Sequence, residues 1–318
     1  MLKYDTSLFY THLQSQETAR EYLQQCYKNL NDIDAEAKSY ENCNAFMYYL
    51  DHGKQFFSAG VKSPELMQPI LLFYGATHLL KACILTKRPN YPESTSILAH
   101  GVSSRKRKKK QYTFIHDEVK IQHNGLFSYA AQHVYNIKNF PFEKINMEDL
   151  FSLIPEMNDL FLLSGEEKLV AIGNVDSTTL HFPLTLLDTF HLTEKAFVKR
   201  VSNHLPPITT TKVSSLMIQL QLTNPIQQTT GPFFTELEHG KIYFPKNREN
   251  FLAIPEVLVH YLLLYNLSMV SRYETEWWGE LLALKAERDY PFIKQFLAIT
   301  AWKMPILLGN ELIALAHE

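Results

Sequence analysis

The sequence lacks most of the patterns on which recognisable chemistry is built. Its three cysteines, Cys26, Cys43 and Cys83, are far apart and form no CxxC pair, which argues against a disulfide framework and a structural zinc site. Its eleven glycines compose neither GxGxxG nor GxxxxGK[ST], so the common glycine-rich phosphate loops are absent. There is no HExxH and no Gly-x-Ser-x-Gly, and nothing assembles a nucleophile, a base and an orienting acid. His116, Asp117 and Glu118 put ligand types in a row, but adjacent residues rarely converge on one metal. No catalytic group, metal or cofactor is therefore expected. Long apolar runs are missing too. The stretches 70–85 and 257–270 are broken by Thr77, His78, Lys81, His260 and Asn266, short of the roughly 20 apolar residues a membrane span needs. The opening MLKYDTSLFYTHLQSQ has no apolar run suited to a signal peptide. These absences point to a soluble cytoplasmic protein without a membrane partner.

What remains is ordinary globular composition over 318 residues, with 46% apolar and 20% charged residues, enough for a large core and about two domains. The expected fold is α+β and helix-rich, with helical N- and C-terminal parts flanking a mixed α/β middle region. Residues 1–110 read as helical, ending in a basic loop. Helices are predicted over 16–30, over 32–57 with an interruption at Asp51-His52-Gly53, and from Ser63 as N-cap with Pro64 in the first turn, Pro69 bending or restarting the helix. Residues 111–250 read as mixed. Strands are predicted at 112–115, 119–122, 168–173, 178–183, 213–222 and 241–244, with helices at 147–162 and 193–202. Residues 251–318 read as three or four helices, with Pro255 and Pro291 near starts and Gly309 a candidate stop. This order fits one helical bundle with a long insertion or two domains in series.

The charge is uneven. The formal net charge is −2, and subtracting the six cations of 105–110 leaves −8 for the rest. Concentrated positive charge points to a local anion site rather than a generally basic nucleic-acid surface, and DNA is not an expected partner. Arginine forks bind phosphate oxygens bidentately and lysines add charge. The candidate ligand-binding residues are His100, Ser103, Ser104, Arg105, Lys106, Arg107 and Lys108, with the serines and the backbone near Gly101 as further donors. A neighbouring positive charge lowers the pKa of His100, making it a neutral donor. A second contact is offered by SRYETEWW, where Arg272 and Tyr273 fall at a predicted helix end and Trp277-Trp278 supply aromatic faces. Each feature also has a structural reading: a solvated loop for the basic run, a core histidine for His100, a packed helix junction for Arg272.

The phrases FFSAGVKSPELMQPILLFYGATHLLKACILTKRPNYPESTSILAHGVSSRKRKKKQYTF, DEVKIQHNGLF and LLLYNLSMVSRYETEWW resemble the YaaC-like proteins of Bacillus and relatives, over most of the chain. Genes of that family commonly lie near the one for IMP dehydrogenase, so the resemblance implies IMP dehydrogenase as a partner. FYGATHLLKACIL followed by His-Gly is more remotely similar to HEPN-type helical domains. Active HEPN ribonucleases place four to six residues between an Arg and the following His. No arginine here has that spacing; Arg200 and His204, with three residues between, come nearest.

The expected function is a non-catalytic regulator that binds a phosphate-rich ligand, a purine nucleotide or guanine alarmone, and modulates a partner enzyme. The alternative is a HEPN-like RNA-binding protein or ribonuclease. A protein-docking role for the basic run is the third reading.

Overall fold

The computed structural model describes residues 5–104, 112–226 and 231–315. It divides the chain into two compact units, residues 148–259 and the remainder on either side. The architecture is helix-rich α+β, with the sheets in the middle of the chain.

The larger unit is mainly helical. Helix α1 (Thr6–His12) is capped by Asp5, whose carboxylate accepts from the Ser7 amide at 2.8 Å. Helix α2 spans Gln16–Tyr27. Helix α3 (Ala35–Lys62) starts on Asp34, which accepts from the amides of Glu36 and Ala37, each at 3.1 Å. It runs unbroken through Asp51-His52-Gly53, where the sequence predicts an interruption. Gly53 serves contact there: a Cβ on it would lie 2.5 Å from Leu79 of the next helix. Ser63 closes α3 instead of opening α4, its amide donating to the Gly60 carbonyl at 3.2 Å. Helix α4 (Gln68–Lys87) starts with Pro69 in its first turn, where a missing N–H is harmless. A Cβ on Gly75 would lie 2.7 Å from Phe57, so small residues let α3 and α4 pack closely as an antiparallel pair.

A small antiparallel sheet follows, in the order β1 (Val102–Ser104), β2 (Glu118–Ile121), β3 (Lys144–Asn146), with helix α5 (Leu126–His133) between the last two in sequence. The predicted strand at 112–115 does not form. The Phe114 amide donates to Asp289 Oδ2, and the Ile115 amide to Asp289 Oδ1 at 3.1 Å, so these groups are satisfied by a carboxylate rather than a ladder.

The smaller unit is mixed. The predicted helix over 147–162 breaks at Pro155 into α6 (Met147–Phe151) and α7 (Asn158–Leu163). Strands β4 (Leu169–Asn174) and β5 (Thr179–Pro183) are followed by α8 (Leu186–Phe190), α9 (Glu194–Ser202), β6 (Ile208–Val213), β7 (Met217–Leu222), β8 (Phe234–Glu236) and β9 (Lys241–Pro245). They form two antiparallel sheets, β4-β9-β8 and β5-β7-β6. The core is phenylalanine-rich. Phe182 meets Phe244 edge-to-face at 5.3 Å, and Phe190 meets Phe197 at 5.7 Å.

The division between units falls inside α10 (Glu256–Tyr273), after Val259. Helices α11 (Thr275–Leu284) and α12 (Asp289–Leu315) complete the helical unit. Gly309, a predicted stop, lies inside α12. A Cβ there would lie 3.1 Å from both Thr6 and Tyr10, so the glycine admits α1 against the helix. Tyr10 and Tyr22 donate to the carbonyls of Pro305 and Leu312 at 2.9 and 2.7 Å. Helices α4 and α12 are long and apolar enough to cross a membrane, but most of each apolar stretch is buried in the fold.

Candidate anion-binding site

Helix α4 is apolar around most of its circumference. Its exception is a stripe of Tyr74, His78 and Lys81, spaced four and three residues apart and so on one face. Lys81 is half-buried. Its ammonium lies over the Tyr49 ring, 5.8 Å from the centroid, and burial lowers its pKa.

His100 is held in place by backbone geometry. Gly101 follows it at φ +77°, a conformation that favours glycine. The His100 carbonyl accepts from the Phe127 amide at 3.1 Å and from the Tyr261 hydroxyl at 2.9 Å. The imidazole meets Phe73 edge-on at 5.0 Å and Tyr265 at 5.8 Å. Burial pushes its pKa down first, followed by the nearby Arg272 and Lys81 charges. The ring is therefore neutral near pH 7, and the cations that keep it so are those two described neighbours.

Arg272 stands in the last turn of α10, seven residues beyond Tyr265. Its Nε–H donates to the Ser268 carbonyl at 2.8 Å, and its guanidinium lies over Tyr273 at 5.3 Å. With Nη2 also donating to the Ser268 hydroxyl at 3.4 Å and to Met269 Sδ at 3.3 Å, these contacts engage one edge of the guanidinium without neutralising it. Among the described residues no carboxylate pairs with Lys81 or Arg272. Arg88, by contrast, bonds Glu93 through Nε at 2.9 Å. Each of the two cations acts on the His100 ring, and a cation without a carboxylate partner in a partly dry site favours an anion.

The structure thus brings His100 and Arg272 together and adds Lys81, which in the sequence stands out only as a polar break in an apolar stretch. Its signal was helical spacing with Tyr74 and His78. Ser103 and Ser104 lie in β1, half-buried; the Ser103 hydroxyl accepts from Gln122 Nε2 at 2.6 Å. Arg105, Lys106, Arg107 and Lys108, with the rest of the run to Lys110, lie outside the described residues. Tyr273 is 66% exposed beneath Arg272. Trp278 is buried and donates to the Leu66 carbonyl at 3.2 Å, while Trp277 packs on Tyr112 at 4.8 Å, so this pair builds the helix junction. Within the acidic trio, Asp117 accepts from Tyr112 and Asn266 at 2.8 and 2.9 Å, and His116 Nδ1 bonds Thr113 at 2.8 Å. Among the described residues, Glu236, Glu238 and His239 do cluster with metal-ligand spacing, but Glu236 already accepts from the amides of Glu238 and His239 at 2.7 and 2.9 Å, closing a turn.

Residues 11–312 match the family described as YaaC-like Protein, and the chain belongs to that family. No curated protein and no solved structure matches it.

Proposed function

We propose that this member of the YaaC-like family is a non-catalytic cytoplasmic regulator that binds a phosphate-rich ligand at Lys81, His100 and Arg272 and thereby changes its engagement of a partner enzyme. One observation carries the reading: Lys81 and Arg272 each act on His100, and among the described residues neither pairs with a carboxylate. Near a protein surface, a unit charge pair at 4 Å is worth about 4 kcal/mol, so a phosphate facing both cations gains enough to offset ordering costs. Arg272 offers the remaining guanidinium N–H groups, Lys81 a point charge and His100 a ring N–H. The six cations of 105–110 follow His100 closely in sequence and add long-range attraction for anions. A purine nucleotide or guanine alarmone satisfies this chemistry. IMP dehydrogenase is the partner that the family resemblance implies. A ligand that binds one state of the protein better than another shifts partner binding by the same coupling energy.

The test is a titration at physiological salt against GMP, GTP, ATP, guanosine tetraphosphate and a short RNA. It is run on the wild type, on Lys81→Met and Arg272→Gln, and on a variant with Arg105, Lys106 and Arg107 changed to Ala. Saturable binding of one ligand per chain, weakened by both site variants, supports the reading. A pull-down of IMP dehydrogenase with and without the ligand then tests the partner. Binding to RNA alone, with affinity falling log-linearly with salt, overturns it in favour of an RNA-binding protein.

A further inference from the structure

We propose that the anion site continues into a ring-binding subsite on α3 and α4, so that its ligand carries a planar heteroaromatic ring and a phosphate on one molecule, as a nucleotide does. This inference rests on the anion-site reading. Tyr49, His52 and Phe56 lie three and four residues apart on α3, and Tyr74, His78 and Lys81 four and three apart on α4. Because the helices run antiparallel, the two stripes meet as a ladder. His78 stands at its centre, 6.2 Å from Tyr49, 5.2 Å from His52 and 5.5 Å from Phe56, whose ring is nearly parallel at 11°. Phe56 and Tyr74 are 5.8 Å apart.

A stripe that only welds two helices is buried. Phe57, the next residue on α3, is such a weld, 4% exposed against Gly75. The six residues of the ladder are all at least partly exposed, and none is a carboxylate. The strip thus keeps part of its aromatic and imidazole surface accessible, and such surface stacks on planar rings. Burial, Lys81 and His52 push the His78 pKa down to about 4, so the ring is a neutral stacking partner at pH 7. Its Nδ1 is buried without a hydrogen-bond partner, a polar edge left unmatched within the strip. Phe73 joins the two parts: its ring lies 5.9 Å from Tyr74 in the strip and 5.0 Å from His100 in the anion site, while Lys81 lies over Tyr49 at the strip's other end. Seven residues of helix from Tyr74 to Lys81 span about 10 Å. That length takes one or two rings, short of the succession of bases that a single-strand groove stacks.

The experiment compares pyrophosphate, ribose 5-phosphate and GMP on the full chain, in wild type, Phe56→Leu and His52→Ala. Phe56→Leu keeps apolar bulk, and His52 is exposed, so at least one variant retains the fold, checked by its thermal midpoint. The wild type should prefer GMP over ribose 5-phosphate by about tenfold or more. Both variants should shrink that preference and leave pyrophosphate affinity unchanged. Equal binding of GMP and ribose 5-phosphate by the wild type, or a preference that survives both substitutions, overturns the ring subsite and leaves the anion site standing. Failure of all three compounds to bind overturns the anion site and the ring subsite together.

Discussion

Gly125 presses its backbone directly on Gly101. A Cβ on Gly125 would stand 2.4 Å from both the Cα and the amide nitrogen of Gly101. Gly125 also sits at φ +126°, where other residues are strained. The contact sets the turn that carries His100, because Leu126 and Phe127, the next two residues, donate to the carbonyls of Ala99 and His100 at 2.7 and 3.1 Å.

Gly125→Ala should therefore lower stability by about 2–4 kcal/mol through clash and backbone strain combined. Urea denaturation measures it. An effect below about 0.5 kcal/mol would show that the two backbones do not meet as described.

Asp289 holds the segment just beyond the basic run. Its carboxylate accepts from the Phe114 and Ile115 amides and is buried. Asp289→Ala removes the carboxylate that both amides bond, and the expected loss is about 2–4 kcal/mol. Asp289→Asn retains one acceptor oxygen and should lose less. The two urea midpoints, compared side by side, check the order.

His78 makes stability fall in mild acid. Its folded pKa is pushed down to about 4, below the usual 6.5 of an unfolded histidine. The unfolded chain therefore takes up a proton first as pH falls. The neutral ring's contribution is fully present above about 6.5 and is lost progressively toward 4. His78→Phe keeps a ring beside Phe56 and cannot titrate. Its midpoint should change less between pH 7 and pH 5 than the wild-type midpoint does.

With the proposed anion bound, His100 should take up a proton. Its pKa is lowered in the free protein by burial, Arg272 and Lys81, and a bound anion opposes the two charge effects. Binding then raises the pKa and draws in a proton, so affinity strengthens as pH falls. The limit for one group is about tenfold per pH unit. Sulfate is the suitable probe because it does not itself titrate in this range. His100→Gln should flatten the profile between pH 7.5 and 5.5 while leaving charge-dependent binding through Lys81 and Arg272.

Much of the fold was legible where local chemistry and packing agree. The helix predicted over 193–202, found at Glu194–Ser202, Pro255 before α10 and the alternating strands near 169, 179 and 241 all follow their sequence signals. The failures share a cause in distant partners. Gly53 and Gly309 look like breaks but are close-approach points for Leu79 and for Thr6 and Tyr10. The 112–115 segment has strand composition, yet a carboxylate 174 residues away from Ile115 takes its hydrogen bonds. His100 and Arg272 stood out as isolated features; their nearness in the fold depends on α4 and α10, and Lys81 gave only its helical spacing as a clue.

The most direct measurement is the histidine-ring NMR spectrum of the protein during a pyrophosphate titration, repeated with Arg272→Gln. The expected result is a saturable shift of the His100 resonances toward the protonated form, much weakened in the variant. Saturable pyrophosphate binding that leaves the His100 ring unmoved would contradict the site, because the anion would then lie elsewhere.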